Sequence, residues 1–173
     1  MNIVLIGMRG AGKSTVGRIL ARRLKKKFLE MDNLIIKKAG MTVPRMVQKY
    51  GWEYFRDLES GVCKKVAKLD NRVVSTGGGV VIRQENVKML KKNGLIFLLV
   101  ASLDRLLKRI GEDESRPSLT GTNSRREDMR RVLAQRRKLY IEAADEVIDT
   151  NKLTTKEVAE VIDLVLKQPR KER

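Results

Sequence analysis

Gly7-Met8-Arg9-Gly10-Ala11-Gly12-Lys13-Ser14 has the spacing G-x-x-x-x-G-K-[ST] of a phosphate-cradling loop. Glycines let the backbone approach a ligand closely and aim its N–H groups at phosphate oxygens. Lys13 would reach the β- and γ-phosphates, and the Ser14 hydroxyl would bind Mg²⁺. This is chemistry for a nucleoside triphosphate such as ATP, and it needs a strand before the loop and a helix after it. Asn2-Ile3-Val4-Leu5-Ile6 is a short apolar run of the kind a buried strand makes. Val16, Ile19, Leu20 and Leu24 recur at helical spacing. A helix beginning at the loop adds partial positive charge to the anion site.

Other residues have types suited to the same chemistry. Glu30-Met31-Asp32 closes a second apolar run. Alternate side chains of a strand share a face, which would set Glu30 beside Asp32. One carboxylate then suits a Mg²⁺-bound water and the other an acceptor hydroxyl; the alternative is that Asp32 caps the next helix. Arg56 lies on a helix around 53–69 with the apolar stripe Phe55, Leu58, Val62, Val66 and Leu69. Glu59, at i,i+3, would either steady that guanidinium or form a surface ion pair with it. Gly77-Gly78-Gly79 follows the run Arg72-Val73-Val74-Ser75-Thr76 and is either a site of close backbone approach or a flexible turn. Arg136 falls in the middle of the stripe Met129, Leu133, Tyr140 and Ala143 of a helix over 125–143. A guanidinium on a buried face needs an anionic partner. Accidental placement among 38 basic residues is the other reading. Arg116 is either an arginine supplied in cis to a transferring phosphoryl group or an ordinary residue of a polar stretch.

These residues need a frame. Apolar runs recur at 2–6, about 28–31, 72–76, 95–101 and 146–149, with helical patterns between them. Thr42 ahead of Pro44 marks a helix start near 43, and Asn93-Gly94 ends a helix and opens the fourth strand. Ser124-x-x-Glu127 and Thr154-x-x-Glu157 have the form of capping boxes. Alternating strands and helices predict an α/β domain with a largely parallel sheet, whose ligands bind at the carboxyl ends of its strands. A single domain over 1–167 is expected from the length. Residues about 111–124, polar and poor in apolar anchors, would form a mobile lid, and 168–173 a disordered tail.

Composition excludes several classes. The chain has no histidine and one cysteine, which removes Ser-His-Asp and Cys-His catalysis and ordinary zinc sites. Acid–base work must fall to carboxylates, Lys or Tyr. Cys63, among apolar residues, reads as a buried thiol. The longest apolar run, 95–101, is too short to span a bilayer, and the first lacks the basic lead-in of a signal peptide. A soluble, cytoplasmic protein is expected. The net charge of +17 suits a nucleic-acid surface or a field that draws small anions into a cleft. An aromatic content of 4% disfavours stacking on single-stranded bases.

In order along the chain, Gly7–Thr15; Phe28-Leu29-Glu30-Met31-Asp32; Tyr54-Phe55-Arg56 with Glu59; Ser75-Thr76-Gly77-Gly78-Gly79; Arg116-Pro117 with Leu119; Arg136 with Leu139-Tyr140; and Asp149-Thr150-Asn151 resemble the shikimate kinases. The similarity runs from Ile3 to about Leu166. It implies a P-loop three-layer sandwich: a five-stranded parallel sheet with helices on both faces, like nucleoside monophosphate kinases. It implies transfer of the ATP γ-phosphoryl group to the 3-hydroxyl of shikimate, with Mg²⁺, on the route to chorismate and aromatic amino acids.

Carried over by position, Asp32 would engage the acceptor hydroxyl as base. Arg56, Arg136 and the Gly78-Gly79 backbone would hold shikimate, both arginines on its carboxylate. Gly10, Ala11, Gly12, Lys13, Ser14 and Thr15 would hold the ATP phosphates under the lid residue Arg116. Arg109, Asn151 and Lys152 would lie near adenine. Ser14 would meet Mg²⁺ directly and Glu30 through a water. A monomer acting on small molecules, without a dedicated nucleic-acid site, is expected. Two residues depart from the family pattern: Glu30 stands where Asp is usual, and Ser118 replaces the first Leu of the lid's Arg-Pro-Leu-Leu. A gluconate kinase would share the loop and lid, and a basic RNA-binding NTP switch would explain the charge. The Arg56/Arg136 pair and the triple glycine favour shikimate.

Overall fold

The apolar runs become five strands: β1 (Asn2–Ile6), β2 (Lys27–Glu30), β3 (Arg72–Ser75), β4 (Gly94–Val100) and β5 (Glu146–Asp149). The structure is a computed structural model and describes residues 1–111, 118–121 and 124–169. All pairings are parallel, in the order β2-β3-β1-β4-β5. β1 is central, with Ile3 opposite Val73 on one side and Leu95 on the other. Its five residues are all buried. A strand covered on both faces reads as an unbroken apolar run, which is why β1 and β4 are legible without alternation.

Between the strands lie α1 (Lys13–Arg23), α2 (Met31–Ala39), α3 (Val43–Val66), α4 (Gln84–Lys91), α5 (Leu103–Ile110) and α6 (Arg125–Ala143), and α7 (Thr155–Lys167) follows β5. Helix α1 packs with α7 on one face of the sheet, and α3, α4 and α6 cover the other. Parallel connections bring the carboxyl ends of all five strands, and the segments that follow them, to one edge. Among the described residues no helix is long and apolar enough to cross a membrane. Cys63 is buried on α3, and burial, then Glu59 and Glu85, pushes its thiol up to about 12.

Three local expectations need correction. Strand β2 stops at Glu30, so Asp32 stands in the first turn of α2 rather than on the strand face of Glu30. The helix starting at 43 and the one expected over 53–69 meet at a kink, where Gly51 (φ 79°, ψ 173°) is non-helical, and the second ends at Val66 rather than 69. Leu69 therefore leaves the stripe and is 37% exposed. The capping box is complete at Thr154, whose N–H donates to Glu157 at 2.7 Å while its hydroxyl accepts from the Glu157 N–H at 3.3 Å. At Ser124 only one half forms. Its hydroxyl accepts from the Glu127 N–H at 3.4 Å, but the Glu127 carboxylate is taken by Arg130 and Arg131. Arg116 and much of the segment proposed as a lid, 112–117 with 122–123, lie outside the described residues, as do 170–173 of the tail.

Candidate active site

The loop between β1 and α1 is shaped by backbone. Gly7, Gly10 and Gly12 have φ of 137°, 81° and 93°, a region that side-chained residues avoid. Gly12 is the N-cap of α1, and no side chain caps that helix. Its first N–H groups are therefore left for a ligand, where the dipole favours an anion. Lys13, 8% exposed, donates from Nζ to the carbonyls of Gly7 at 2.8 Å and Met8 at 2.9 Å.

Ser14 Oγ donates to Glu30 Oε1 and lies 3.3 Å from Ser75 Oγ. Arg18 Nη2 donates to Glu30 Oε2 at 2.9 Å. A hydroxyl beside a carboxylate is a hard oxygen set of the kind Mg²⁺ accepts when phosphate and water complete its octahedron. Among the described residues no three His, Cys, Asp or Glu side chains converge. The protein thus offers a foothold for a nucleotide-bound ion rather than a closed cage.

A cleft of about 570 Å³ extends from this loop. Gly10, Ala11, Gly12, Lys13, Ser14, Thr15, Glu30 and Asp32 line it. Arg109 closes the far end and donates to Thr150 Oγ1 at 2.9 Å and to the Thr150 carbonyl at 2.7 Å. Asn151 and Lys152 lie between the lining residues Thr150 and Leu153. The Asn151 side chain donates to Asp149 Oδ1 at 2.8 Å and accepts from the Ser102 N–H at 2.8 Å, tying it to the segment after β4.

A second pocket adjoins the first across Gly78 and Arg9, which line both. Its polar side chains are Arg9, Arg56, Glu59, Arg136 and Asp128; Met8, Trp52, Leu119, Met129 and Val132 supply apolar walls. Arg56 Nη1 donates to Glu59 Oε2 at 2.6 Å, and the pair is 8% and 0% exposed at the side chain. Burial pushes the Glu59 carboxyl up, and the neighbouring Arg56 only partly offsets it. Glu59 Oε1 is buried and makes no hydrogen bond among the described residues. Arg136 Nη1 donates to the Gly78 carbonyl at 3.0 Å, and Tyr140 donates to the same oxygen. Burial pushes the Arg136 guanidinium below its ordinary value, and Arg56 adds to the effect.

Two of the three glycines, Gly77 and Gly79, are closely packed by side chains, whereas a Cβ on Gly78 would meet only ordinary contacts. A Cβ on Gly79 would run into the Arg56 guanidinium, and one on Gly77 would sit 2.8 Å from both Asp32 Oδ1 and Glu59 Oε1. The turn therefore brings two cations and two carboxylates against bare backbone.

Most residues singled out from sequence thus meet around one edge of the sheet. Missed were Tyr140 as a partner of Gly78, Trp52 as a wall, and Asp128. Tyr140 carried a signal, since it follows Arg136 by one helical turn on the same stripe. Trp52 and Asp128 carried none that periodicity reveals.

The family model described as shikimate kinase matches residues 9–167. A shikimate kinase of Thermodesulfovibrio yellowstonii is 43% identical over 161 residues, covering 93% of this chain and 92% of that protein. One of Caldicellulosiruptor bescii is 40% identical with the same coverage. The solved shikimate kinase of Acinetobacter baumannii in complex with shikimate superposes with a TM-score of 0.90 at 35% identity, covering 95% of this chain and 92% of that one. The chain belongs to the shikimate kinase family.

Proposed function

We propose that the two adjoining cavities are the nucleotide and acceptor sites of a kinase that moves the ATP γ-phosphoryl group to the 3-hydroxyl of shikimate. The products are shikimate 3-phosphate and ADP, in chorismate and aromatic amino acid biosynthesis. The observation that carries the assignment is the pair of buried guanidinia, Arg56 and Arg136, set against the Gly78-Gly79 backbone. Among the described residues no carboxylate ion-pairs with Arg136. A buried charge left uncompensated costs several kcal/mol. A substrate carboxylate reaching Arg136, beside an Arg56 already held by Glu59, would supply that missing anion.

The remaining groups divide the work. The P-loop N–H groups and Lys13 hold the phosphates, with Arg116 supplied from outside the described residues. Mg²⁺ neutralises phosphate charge when bound; Ser14 would ligate it, and Glu30 would orient Ser14 and a metal water. Arg109 lines the adenine end, flanked by the chain at Asn151 and Lys152. Asp32 lines the nucleotide cleft against Gly77 of the second pocket, a position from which it would accept the hydroxyl proton. Glu59 Oε1 is a second acceptor for a substrate hydroxyl. Phosphoryl transfer needs placement and charge neutralisation above all, so histidine is dispensable.

The direct test is ADP release with ATP, Mg²⁺ and a panel of shikimate, gluconate and nucleoside monophosphates. Only shikimate should support turnover; gluconate-dependent release would replace the assignment. Lysine cannot reproduce a bidentate guanidinium. Arg136→Lys should therefore raise KM for shikimate by about tenfold or more while KM for ATP moves little. Equal effects on both substrates would remove Arg136 from the carboxylate.

The charge of +17 then serves as a steering field and a solvated surface. Titration of the protein with labelled RNA of differing sequence should give binding that ignores sequence and falls steeply with salt. A complex with clear sequence preference that persists near 0.3 M salt, roughly where counterion release has erased non-specific binding, would make a nucleic-acid site part of the function.

A further inference from the structure

Asp128 stands in the first turn of α6 and is 7% exposed. Its Oδ1 accepts from Ser118 Oγ at 2.7 Å, the Leu119 N–H at 2.9 Å, the Thr120 N–H at 2.7 Å and Thr120 Oγ1 at 2.8 Å. Ser118 Oγ also accepts from the Gly121 N–H at 3.0 Å. Residues 118–121 are thus folded around one carboxylate. Burial alone would push that carboxyl up, yet the donors of Ser118, Thr120 and Leu119 outweigh it and hold it below its usual range.

A helix N-terminus favours an acid there, which explains a charge at this position. It does not explain four donors arriving from a different segment, and Glu127 already places an acid in the same turn. The consequence of the clasp lies one residue away. Leu119, between the clasped residues, lines the acceptor pocket together with Met129 and Val132. Those two follow Asp128 on α6, and Arg136 lies two turns further along the same helix. Ser118, the departure from the family's lid pattern, is one of the four donors.

We propose that Asp128 is a positioning residue for the acceptor: by clasping segment 118–121 it fixes Leu119 as a wall of the shikimate pocket, on the helix that carries Arg136. This rests on the reading of that pocket as the acceptor site. Hydrogen bonds to an ionised group are the stronger kind, and loss of the charge should release the wall. The phosphate loop is built from other elements and should not respond.

Trp52, the sole tryptophan, lines the same pocket, so its fluorescence reads shikimate binding without ATP. The experiment titrates shikimate into the wild type, Asp128→Asn, Ser118→Ala and the double variant, with steady-state kinetics alongside. Asp128→Asn should weaken shikimate about tenfold in both Kd and KM, with KM for ATP within about twofold. Ser118→Ala should cost about threefold alone and less in the Asp128→Asn background, because the two share one of the four bonds and it is weaker to a neutral amide oxygen. If Asp128→Asn does not fold, Ser118→Ala with Thr120→Val must reproduce the loss, since it removes two donors and keeps the carboxylate.

Variants that melt earlier yet bind shikimate like the wild type would overturn the proposal, leaving Asp128 a stabilising contact only. A wild type with no shikimate response in fluorescence or ADP release would instead overturn the functional reading. A wild-type response with unaltered variants strikes the present inference alone.

Discussion

Lys13→Met should lower kcat by about 10²–10³, the usual cost of removing one preorganised donor to developing charge. Shikimate binding, read at Trp52, should stay close to that of the wild type. Lys13 is 8% exposed and held at the loop mouth by the Gly7 and Met8 carbonyls. In a site with little water, an ammonium acts on phosphate oxygens far more strongly than it would in solvent. Methionine matches the length and flexibility of the stem, so packing is kept and only the charge is lost. Arg116→Ala should show the same signature, with kcat reduced and shikimate still bound. A Lys13→Met enzyme with normal kcat would remove Lys13 from the transferring phosphoryl group. A parallel loss of shikimate binding would point to collapse of the loop instead.

The frame that carries these residues was legible because its signals are local and repetitive. Strands buried on both faces leave unbroken apolar runs, as β1 and β4 do, and all five strands fall within a residue of the runs expected from sequence. Arg136 was found by helical phase alone, and it is buried as that phase requires. The failures share a cause. Asp32 was placed by strand alternation, but the chain turns into α2 directly after Glu30, and no periodicity marks a turn with no intervening loop. Gly51 breaks α3 into two helices across a kink, as the separate starts near 43 and 53 imply, but the second stops at Val66, short of Leu69, where no glycine or proline marks the end. Asp128 looked like any acid at a helix N-terminus. Its role depends on how segment 118–121 closes on it, which no pattern within α6 encodes.

The correction at Asp32 sharpens the division between the two carboxylates. Glu30 accepts the Ser14 hydroxyl on one oxygen and Arg18 on the other, so its reach is toward the metal side of the cleft. Asp32 lines the same cleft but packs against Gly77 beside Glu59, two residues that line the second pocket. The side chain of Glu30 is one methylene longer than the usual Asp. Mg²⁺ keeps several of its waters, and a water can shift to meet a longer ligand. Glu30→Asp should therefore retain most activity. Glu30→Gln should raise the Mg²⁺ concentration needed for half-maximal rate; freeing Arg18, which is half exposed, adds little cost of its own. Asp32→Asn should nearly abolish turnover at every Mg²⁺ concentration, since loss of a general base costs about 10²–10⁴ and no added cation replaces a proton acceptor. The measurement is a Mg²⁺ titration of the three variants at saturating ATP and shikimate. Rescue of Asp32→Asn by excess Mg²⁺, with Glu30→Gln unresponsive, would reverse the two assignments and place Asp32 on the metal.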